Sequence, residues 1–186
     1  MNKFTGHGNM SNMGGLDTNG SVSHSGKART LYHIECYDSE GRLKWVEDFE
    51  NLVTTVGFNK VLDSAFKTGV TSPTWFVGLV DNASFSAYAA GDTMSSHSGW
   101  IEGVPYSNST RVAFTPSTPA SGSTDNSAAK AVFNINATLT IRGAFLVDNS
   151  TKSGTTGTLY GEGDFSVARS VISGDTLNVQ VTISYS

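Results

Sequence analysis

The chain has 186 residues, a hydrophobic fraction of 38%, a charged fraction of only 15% and a formal net charge of −4. Ser, Thr, Asn and Gly make up the balance, which is typical of an all-β protein and unlike a disordered chain, where low hydrophobicity accompanies high net charge. The acidic balance disfavours electrostatic binding to nucleic acid, and the apolar runs are too short to cross a bilayer.

The first zone, residues 1–28, consists mostly of small polar residues: Gly, Ser, Thr and Asn fill 16 of its 28 positions. Such a segment buries too little apolar area to offset its backbone entropy, so it is expected to order only against another surface. We predict an extended arm that lies on neighbouring subunits, with folding back onto its own domain as the alternative. Its predicted apolar anchors are Phe4, Met10, Met13 and Leu16. The segment lacks the apolar stretch of a secretory signal, which favours synthesis in a cytoplasm.

Two strands joined by a tight turn follow the arm. They are predicted at residues 30–37 and 43–49, with residues 38–41 as a turn that ends in Gly. Cys36 is the single cysteine of the sequence, so neither an intramolecular disulfide nor a zinc site built from several cysteines can form in one chain. We expect Cys36 to be a small buried hydrophobe.

One helix is predicted, at residues 55–67. Its apolar residues have the i, i+3, i+4, i+7, i+8 spacing of one buried stripe: Phe58, Val61, Leu62, Ala65 and Phe66. Thr54 or Thr55 can cap the start of the helix, and Gly69 and Pro73 can end it.

The rest of the chain has β patterns. Residues 74–80 are apolar on both faces and read as a central strand, and residues 133–141 and 177–185 alternate apolar with neutral polar residues. Further strands are predicted at residues 111–115, 143–147 and 158–165, with a loop at 116–125. Residues 29–186 are therefore predicted to form an antiparallel β-sandwich with one short helix, and a jelly roll is one arrangement that fits.

Several residues could in principle bind a metal or act in catalysis, but each of them can also be explained by a purely structural role. Asp92, His97 and Glu102 could ligate a metal from a loop, but their spacing matches no known signature, and turn hydrogen bonds are the simpler role. Glu162 and Asp164 could act as a carboxylate pair, yet as neighbours on one strand face they are expected to turn to solvent or to meet Arg142 or Arg169. The sequence contains no Gly-x-Ser-x-Gly, phosphate-loop or His-Glu-x-x-His motif. We therefore predict no enzyme, metal or cofactor.

Aromatic residues are the remaining candidates for a binding surface. Trp45, Trp75 and Trp100 could line a sugar groove, but aromatic residues of β-sandwiches are more often core or interface anchors. Trp75 is assigned to the core. Trp100, beside a polar loop, is the candidate for an interface or ligand contact, and we group it with Tyr106 and Arg111 as predicted contact residues.

Several segments, in chain order, resemble small structural proteins encoded among the virion genes of tailed bacteriophages and prophages. Residues 47–63 are similar to the beginning of the proteins in that family. The central part of those proteins is similar to the WFVGL of 75–79, the DTMSSHSGW of 92–100, Tyr106 and Arg111. Its C-terminal half is similar to residues 126–129, 133–137, 143–146, 157–160 and 174–179. The resemblance covers about residues 45–185 and leaves the arm outside.

This resemblance implies a component of a phage capsid or tail, and most directly a capsid cement or decoration protein without catalytic residues. The implied partners are the major capsid protein and neighbouring copies, as a homo-dimer or homo-trimer on the capsid surface of the virion, after synthesis in the bacterial host cytoplasm. Two alternatives stay open: a head or tail fibre or its receptor-binding tip, with Trp100 and Tyr106 touching host glycan, and a tail-tube or connector protein. No nucleic-acid or membrane partner is expected.

Overall fold

The computed structural model describes residues 28–185, and the predicted arm lies outside the described residues apart from Ala28. The elements in chain order are β1 Ala28–Tyr37, β2 Leu43–Glu50, β3 Leu52–Val53, α1 Thr55–Phe66, β4 Trp75–Asp81, β5 Ile101–Gly103, β6 Val112–Phe114, β7 Ser123–Asp125, β8 Ala131–Asn134, β9 Leu139–Val147, β10 Leu159–Val171 and β11 Thr176–Tyr185. The predicted mainly β class is confirmed.

Two antiparallel sheets pack against each other, so the predicted β-sandwich is confirmed as well. The first sheet has the order β2-β1-β11-β7, and β8 pairs with the half of β11 that β7 leaves free. The second sheet has the order β3-β10-β9-β4-β5, and β6 pairs with the first half of β4. The central position predicted for residues 74–80 is confirmed, because β4 has hydrogen-bonded strands on both sides.

The main core lies between the two sheets, and a second apolar cluster lies on the outer face of the second sheet. In β4, Val77 and Leu79 belong to the main core, whereas Val80 belongs to the second cluster. This assignment follows from the alternation of side chains along a strand. The second cluster is covered by residues 82–100, here called the cover loop, which supplies the buried Met94 and Trp100.

The alternating stretch 133–141 is not one strand, and the prediction of a single strand there was wrong. β8 ends at Asn134 in the first sheet, and β9 begins at Leu139 in the second. Between them the Ile135 amide donates to the Asp175 carbonyl at 2.9 Å, and the Asn136 amide donates to the Pro105 carbonyl at 2.9 Å. Both sheets bury one face against the same core, so the period-two pattern continues through the crossing between them.

The predicted helix is confirmed in position but not in orientation. α1 spans Thr55–Phe66, and the Thr54 hydroxyl accepts a hydrogen bond from the Gly57 amide at 3.0 Å, which is the expected cap. Gly57 is the buried residue of the helix, and Val61 packs against the main core. The predicted buried stripe is wrong: it lies largely in solvent, because the helix approaches β10 through its glycine.

Other local predictions have clear outcomes. Cys36 is fully buried on β1, as predicted. Trp75 is partly buried and packs edge-on against Tyr160 with 5.5 Å between ring centroids, which agrees with its assignment to the core. The predicted loop 116–125 ends in a strand, since Ser123–Asp125 forms β7.

Candidate functional site

Trp100 is buried beneath the cover loop and does not present its ring to solvent. Its exposed fraction is 1%, and its indole N–H donates to Asp92 Oδ2 at 3.2 Å. The ring stacks on His97 with 4.0 Å between centroids and contacts Phe145 of β9 at 5.0 Å. Trp100 therefore anchors the cover loop to the second sheet, and its side chain is not placed to contact a partner directly.

Asp92 and His97 also hold the cover loop together. Asp92 Oδ2 accepts from the Ala89 amide at 3.2 Å as well as from the Trp100 indole. His97 Nδ1 lies 3.0 Å from the Trp100 carbonyl oxygen. The turn role predicted for Asp92 is confirmed by these contacts. Among residues 28–185, His, Cys, Asp and Glu side chains form no group of three or more that could hold a metal ion.

Arg111 is buried in a network that joins β5 to the loop between β9 and β10. Its side chain is fully covered, and its guanidinium meets Glu102 in a two-point ion pair, Nε to Oε1 at 2.9 Å and Nη2 to Oε2 at 2.7 Å. It also donates to the carbonyls of Asn149 at 2.9 Å and Gly154 at 3.0 Å. Glu102 Oε2 in turn accepts from the Ser153 amide at 2.7 Å. Both charges are therefore used inside the fold, where such an arrangement of donors and acceptors can offset desolvation.

Tyr106 is buried too, with an exposed fraction of 1%. Its ring packs edge-on against Phe133 with 4.9 Å between centroids. The Lys152 ammonium lies 4.6 Å from the Tyr106 ring centroid and donates to the Tyr106 and Asn108 carbonyls at 3.0 and 2.8 Å. Of the predicted contact residues, Trp100, Tyr106 and Arg111 are thus interior side chains, and they do not belong to the contact surface proposed below. The arm anchors Phe4, Met10, Met13 and Leu16 lie outside the described residues.

Glu162 is a buried acid that the sequence prediction placed in solvent, and this prediction was wrong. It pairs across the strands with Phe145, which puts it on the outer face of the second sheet beneath the cover loop. Burial, followed by the neighbouring Asp92 carboxyl, raises the pKa of Glu162 to about 9. Neither carboxyl oxygen makes a hydrogen bond of good geometry within residues 28–185. The neighbouring Asp164 forms an ion pair with Arg142, which was one of the two arginine partners predicted from the sequence.

A second buried acid, Glu47, was not singled out from the sequence. Glu47 is 5% exposed on β2, and its carboxylate accepts from the Ser166 hydroxyl at 3.0 Å and from Arg169 Nε at 2.7 Å on β10. It therefore ties the edge of the first sheet to the second. The sequence does contain a signal for this burial. Glu47 and Phe49 are two residues apart on the same strand, so both face inward.

The exposed apolar surface that stands out is one flank of α1. Phe58, Leu62 and Phe66 are one turn apart along this flank and are 42%, 41% and 84% exposed. We call these three residues the α1 flank. Beside it lies a shallow pocket of about 260 Å³, lined by Val61, Ser64, Ala65, Ser72, Pro73 and Trp75. Large apolar side chains clustered in solvent mark interaction surfaces more often than chance exposure does.

No protein-family model matches the chain, and no curated protein matches it. Within residues 28–185, no helix has the length and apolar character needed to span a membrane.

Proposed function

We propose that this chain is a non-enzymatic structural protein of a tailed-bacteriophage virion, a cement or decoration protein that binds and stabilises the major capsid shell. The phage assignment is supported by the resemblance of residues 45–185 to small virion proteins. The structural observation that carries a binding role is the α1 flank, where Phe58, Leu62 and Phe66 face solvent together. Three apolar side chains on one rigid helix are suited to insertion into a groove of a partner.

The use of the polar groups supports a structural role as well. Two of the carboxylates that were considered for chemistry hold loops instead: Asp92 binds Trp100, and Glu102 binds Arg111. The long strands β10 and β11 and the shared core give a rigid platform. Neutral Ser, Thr and Asn side chains on its faces can hydrogen-bond to a partner with little charge desolvation.

In this proposal the N-terminal arm is the second contact. Phe4, Met10, Met13 and Leu16 would be the apolar anchors that bind the shell and neighbouring subunits. Several weak contacts made by one molecule add to a strong attachment, because each binding event raises the effective concentration for the next. A cement protein at many equivalent shell positions gains affinity in this way without any chemical reaction.

The test is binding of purified protein to capsid shells that lack it, measured by co-sedimentation. Deletion of residues 2–25 is expected to leave the sandwich folded, as judged by its thermal unfolding midpoint, and to abolish shell binding. Leu62→Ser with Phe66→Ser is expected to weaken binding at least tenfold, whereas Leu43→Ser, at an exposed apolar residue on β2, is the matched control. Undiminished binding by the truncated protein would reject the proposal, and a copy number of a few per virion would favour a fibre.

A receptor-binding role through Trp100 and Tyr106 has less support. Both rings are enclosed by the fold, so a glycan could reach them only if the cover loop or the Lys152 contact opened.

A further inference from the structure

Asp92 of the cover loop and Glu162 of β10 bring two carboxyls together on the outer face of the second sheet. Glu162 is completely buried, and neither of its carboxyl oxygens has a hydrogen bond of good geometry within residues 28–185. The neighbouring N–H groups, the Ala89 amide and the Trp100 indole, both donate to Asp92 Oδ2 at 3.2 Å. Two acids therefore share a set of donors that satisfies only one of them.

Among the described residues, no positive charge is paired with these two acids. On β9, Arg142 forms its ion pair with Asp164. Arg111 lies 5.3 Å from the centroid of the Phe145 ring, but its charge is taken up by Glu102. Two unpaired negative charges repel strongly where water is excluded, so the closed structure accommodates the two carboxyls with one proton between them.

The other titratable groups around the pair do not bring a cation to it. The Tyr88 hydroxyl of the cover loop donates to a β10 carbonyl at 3.1 Å. His97 stacks on Trp100, and in the described part of the chain it makes no contact of ion-pair length with an acid. Tyr32 lies in the main core, on the other side of the sheet, and β3 contributes no charged side chain. The proton is thus the one available means of neutralising the pair.

The cover loop is built so that it can move without the sandwich. Residues 82–100 include no strand or helix, and the main core contains none of their side chains. Few backbone hydrogen bonds join the loop to the rest of the fold, such as the Asn82 amide to the Thr140 carbonyl at 2.9 Å and the Thr55 amide to the Ala90 carbonyl at 2.8 Å. A segment held in this way opens at a lower free energy than the strands beneath it.

We propose that Asp92 and Glu162 form a proton-operated latch, in which the proton between the two carboxyls holds the cover loop closed over the second apolar cluster. When that proton is lost, repulsion between the two carboxylates moves the loop away from the outer face of the second sheet, and the two-sheet sandwich stays folded. Opening exposes the Trp100 ring and the outer side chains of β4, β9 and β10. It also releases the Thr55 amide at the start of α1.

The latch has a definite dependence on pH. Burial, followed by the Asp92 carboxyl, raises the pKa of Glu162 to about 9, whereas hydration in the open loop returns the pKa toward its ordinary value of 4.5. Between these values the closed form holds a proton that the open form releases. The equilibrium constant for opening therefore rises about tenfold per pH unit, and the closed loop is most stable in acid.

The test is amide hydrogen exchange of the full-length protein, followed by mass spectrometry and corrected for the intrinsic effect of pH. From pH 6 to 8 we expect the protection of residues 82–100 to fall about 100-fold, with β11 more protected at every pH. In Glu162→Gln, which keeps the shape of the protonated acid, the protection is expected not to depend on pH. Asp164→Asn is the matched control, because it removes a neighbouring acid from the same face of β10 and should keep the full dependence.

Three outcomes would overturn the inference. The first is protection of the cover loop that does not change with pH in the natural protein, a measurement that needs no variant. The second is an unchanged pH dependence in Glu162→Gln. The third is exchange of the cover loop at the rate of β11, which would mean that the loop opens only when the whole protein unfolds. None of these measurements involves capsid shells, so the latch and the cement role are tested separately.

Discussion

Gly57 of α1 and Tyr160 of β10 meet backbone to backbone. A β-carbon at residue 57 would lie far inside van der Waals distance of the Tyr160 carbonyl oxygen and α-carbon. The Thr54 amide donates to the same carbonyl at 3.0 Å, so the first turn of the helix is fixed against the strand. This contact decides which side of α1 faces the sheet, and it leaves the α1 flank in solvent.

Replacement of Gly57 by Ala is therefore expected to destabilise the protein, although Ala is the better helix former. The added methyl group must displace α1 or bend β10, and overpacking of this kind costs about 1–3 kcal/mol. Urea unfolding followed by tryptophan fluorescence measures the change. Gly91→Ala is the matched control, since a β-carbon there meets nothing within 4 Å. Equal stability of the two variants would show that the contact is not rigid.

The buried ion pair between Arg111 and Glu102 gives a second prediction. Arg111→Ala leaves the buried Glu102 carboxylate with the Ser153 amide but no counter-charge, and it removes the guanidinium donors from two loop carbonyls; loss of one partner of such a pair costs about 3–5 kcal/mol. Arg111→Lys keeps the charge but cannot make the two-point contact, so we expect an intermediate loss. Equilibrium denaturation measures both variants. Arg29→Ala, which removes an exposed pair with Glu50, serves as the control and should leave the midpoint unchanged.

Glu162 gives the protein a predictable dependence on pH. Because its pKa rises from the ordinary value to about 9 on folding, the folded protein holds a proton that the unfolded chain releases. The stability that protonated Glu162 contributes is fully present below the pKa of the unfolded chain, near 4.5, and it is lost as the pH rises toward 9.

Glu162→Gln should therefore match the natural protein at pH 4 and exceed its free energy of unfolding at pH 7 to 8, by about 3 to 5 kcal/mol. Thermal unfolding from pH 4 to 9 measures how the stability of each of the two proteins depends on pH. Glu40→Gln, on the exposed turn between β1 and β2, controls for a general change of net charge. Parallel pH profiles for the natural protein and Glu162→Gln would contradict the assignment.

Cys36 offers a test of the core itself. Its thiol is fully buried, and burial followed by the nearby Asp175 carboxyl raises its pKa to about 12. We expect it to react at least about 100-fold more slowly with a thiol reagent at pH 8 in the native protein than in guanidinium, because thiolate and access are both needed. The reaction is followed by absorbance. Rapid labelling of the native protein would mean that the hairpin of β1 and β2 opens easily.

Much of the fold could be read from the sequence because its signals are local. The alternation at residues 177–185 predicts β11, and Thr54 before the apolar spacing predicts where α1 starts. The single cysteine and the apolar run at 74–80 correctly predict buried positions. In each case the periodicity or the backbone requirement belongs to the element itself.

The candidate site could be predicted less well from the sequence, because its arrangement depends on contacts between residues that are distant in the chain. Trp100 and Tyr106 look like contact residues when seen as aromatic residues beside polar loops. Which aromatic residue a loop covers depends on where the loop lies, and the cover loop is placed by contacts with strands distant in sequence, such as Phe145. Burial of Arg111 likewise depends on Glu102 and on carbonyls about forty residues further along.

By itself, then, the amino-acid order determined the class of the fold, the bounds of the helix to within one residue and long strands such as β1, β2, β4 and β11, since side-chain period and capping act over a few residues. Tertiary structure alone decided three things: that the alternating stretch after Phe133 is divided between two sheets, that Glu162 is enclosed, and that α1 turns Gly57 rather than Phe58 toward β10. Each depends on how closely two separate backbones approach, and that distance is set by the packing of the whole core.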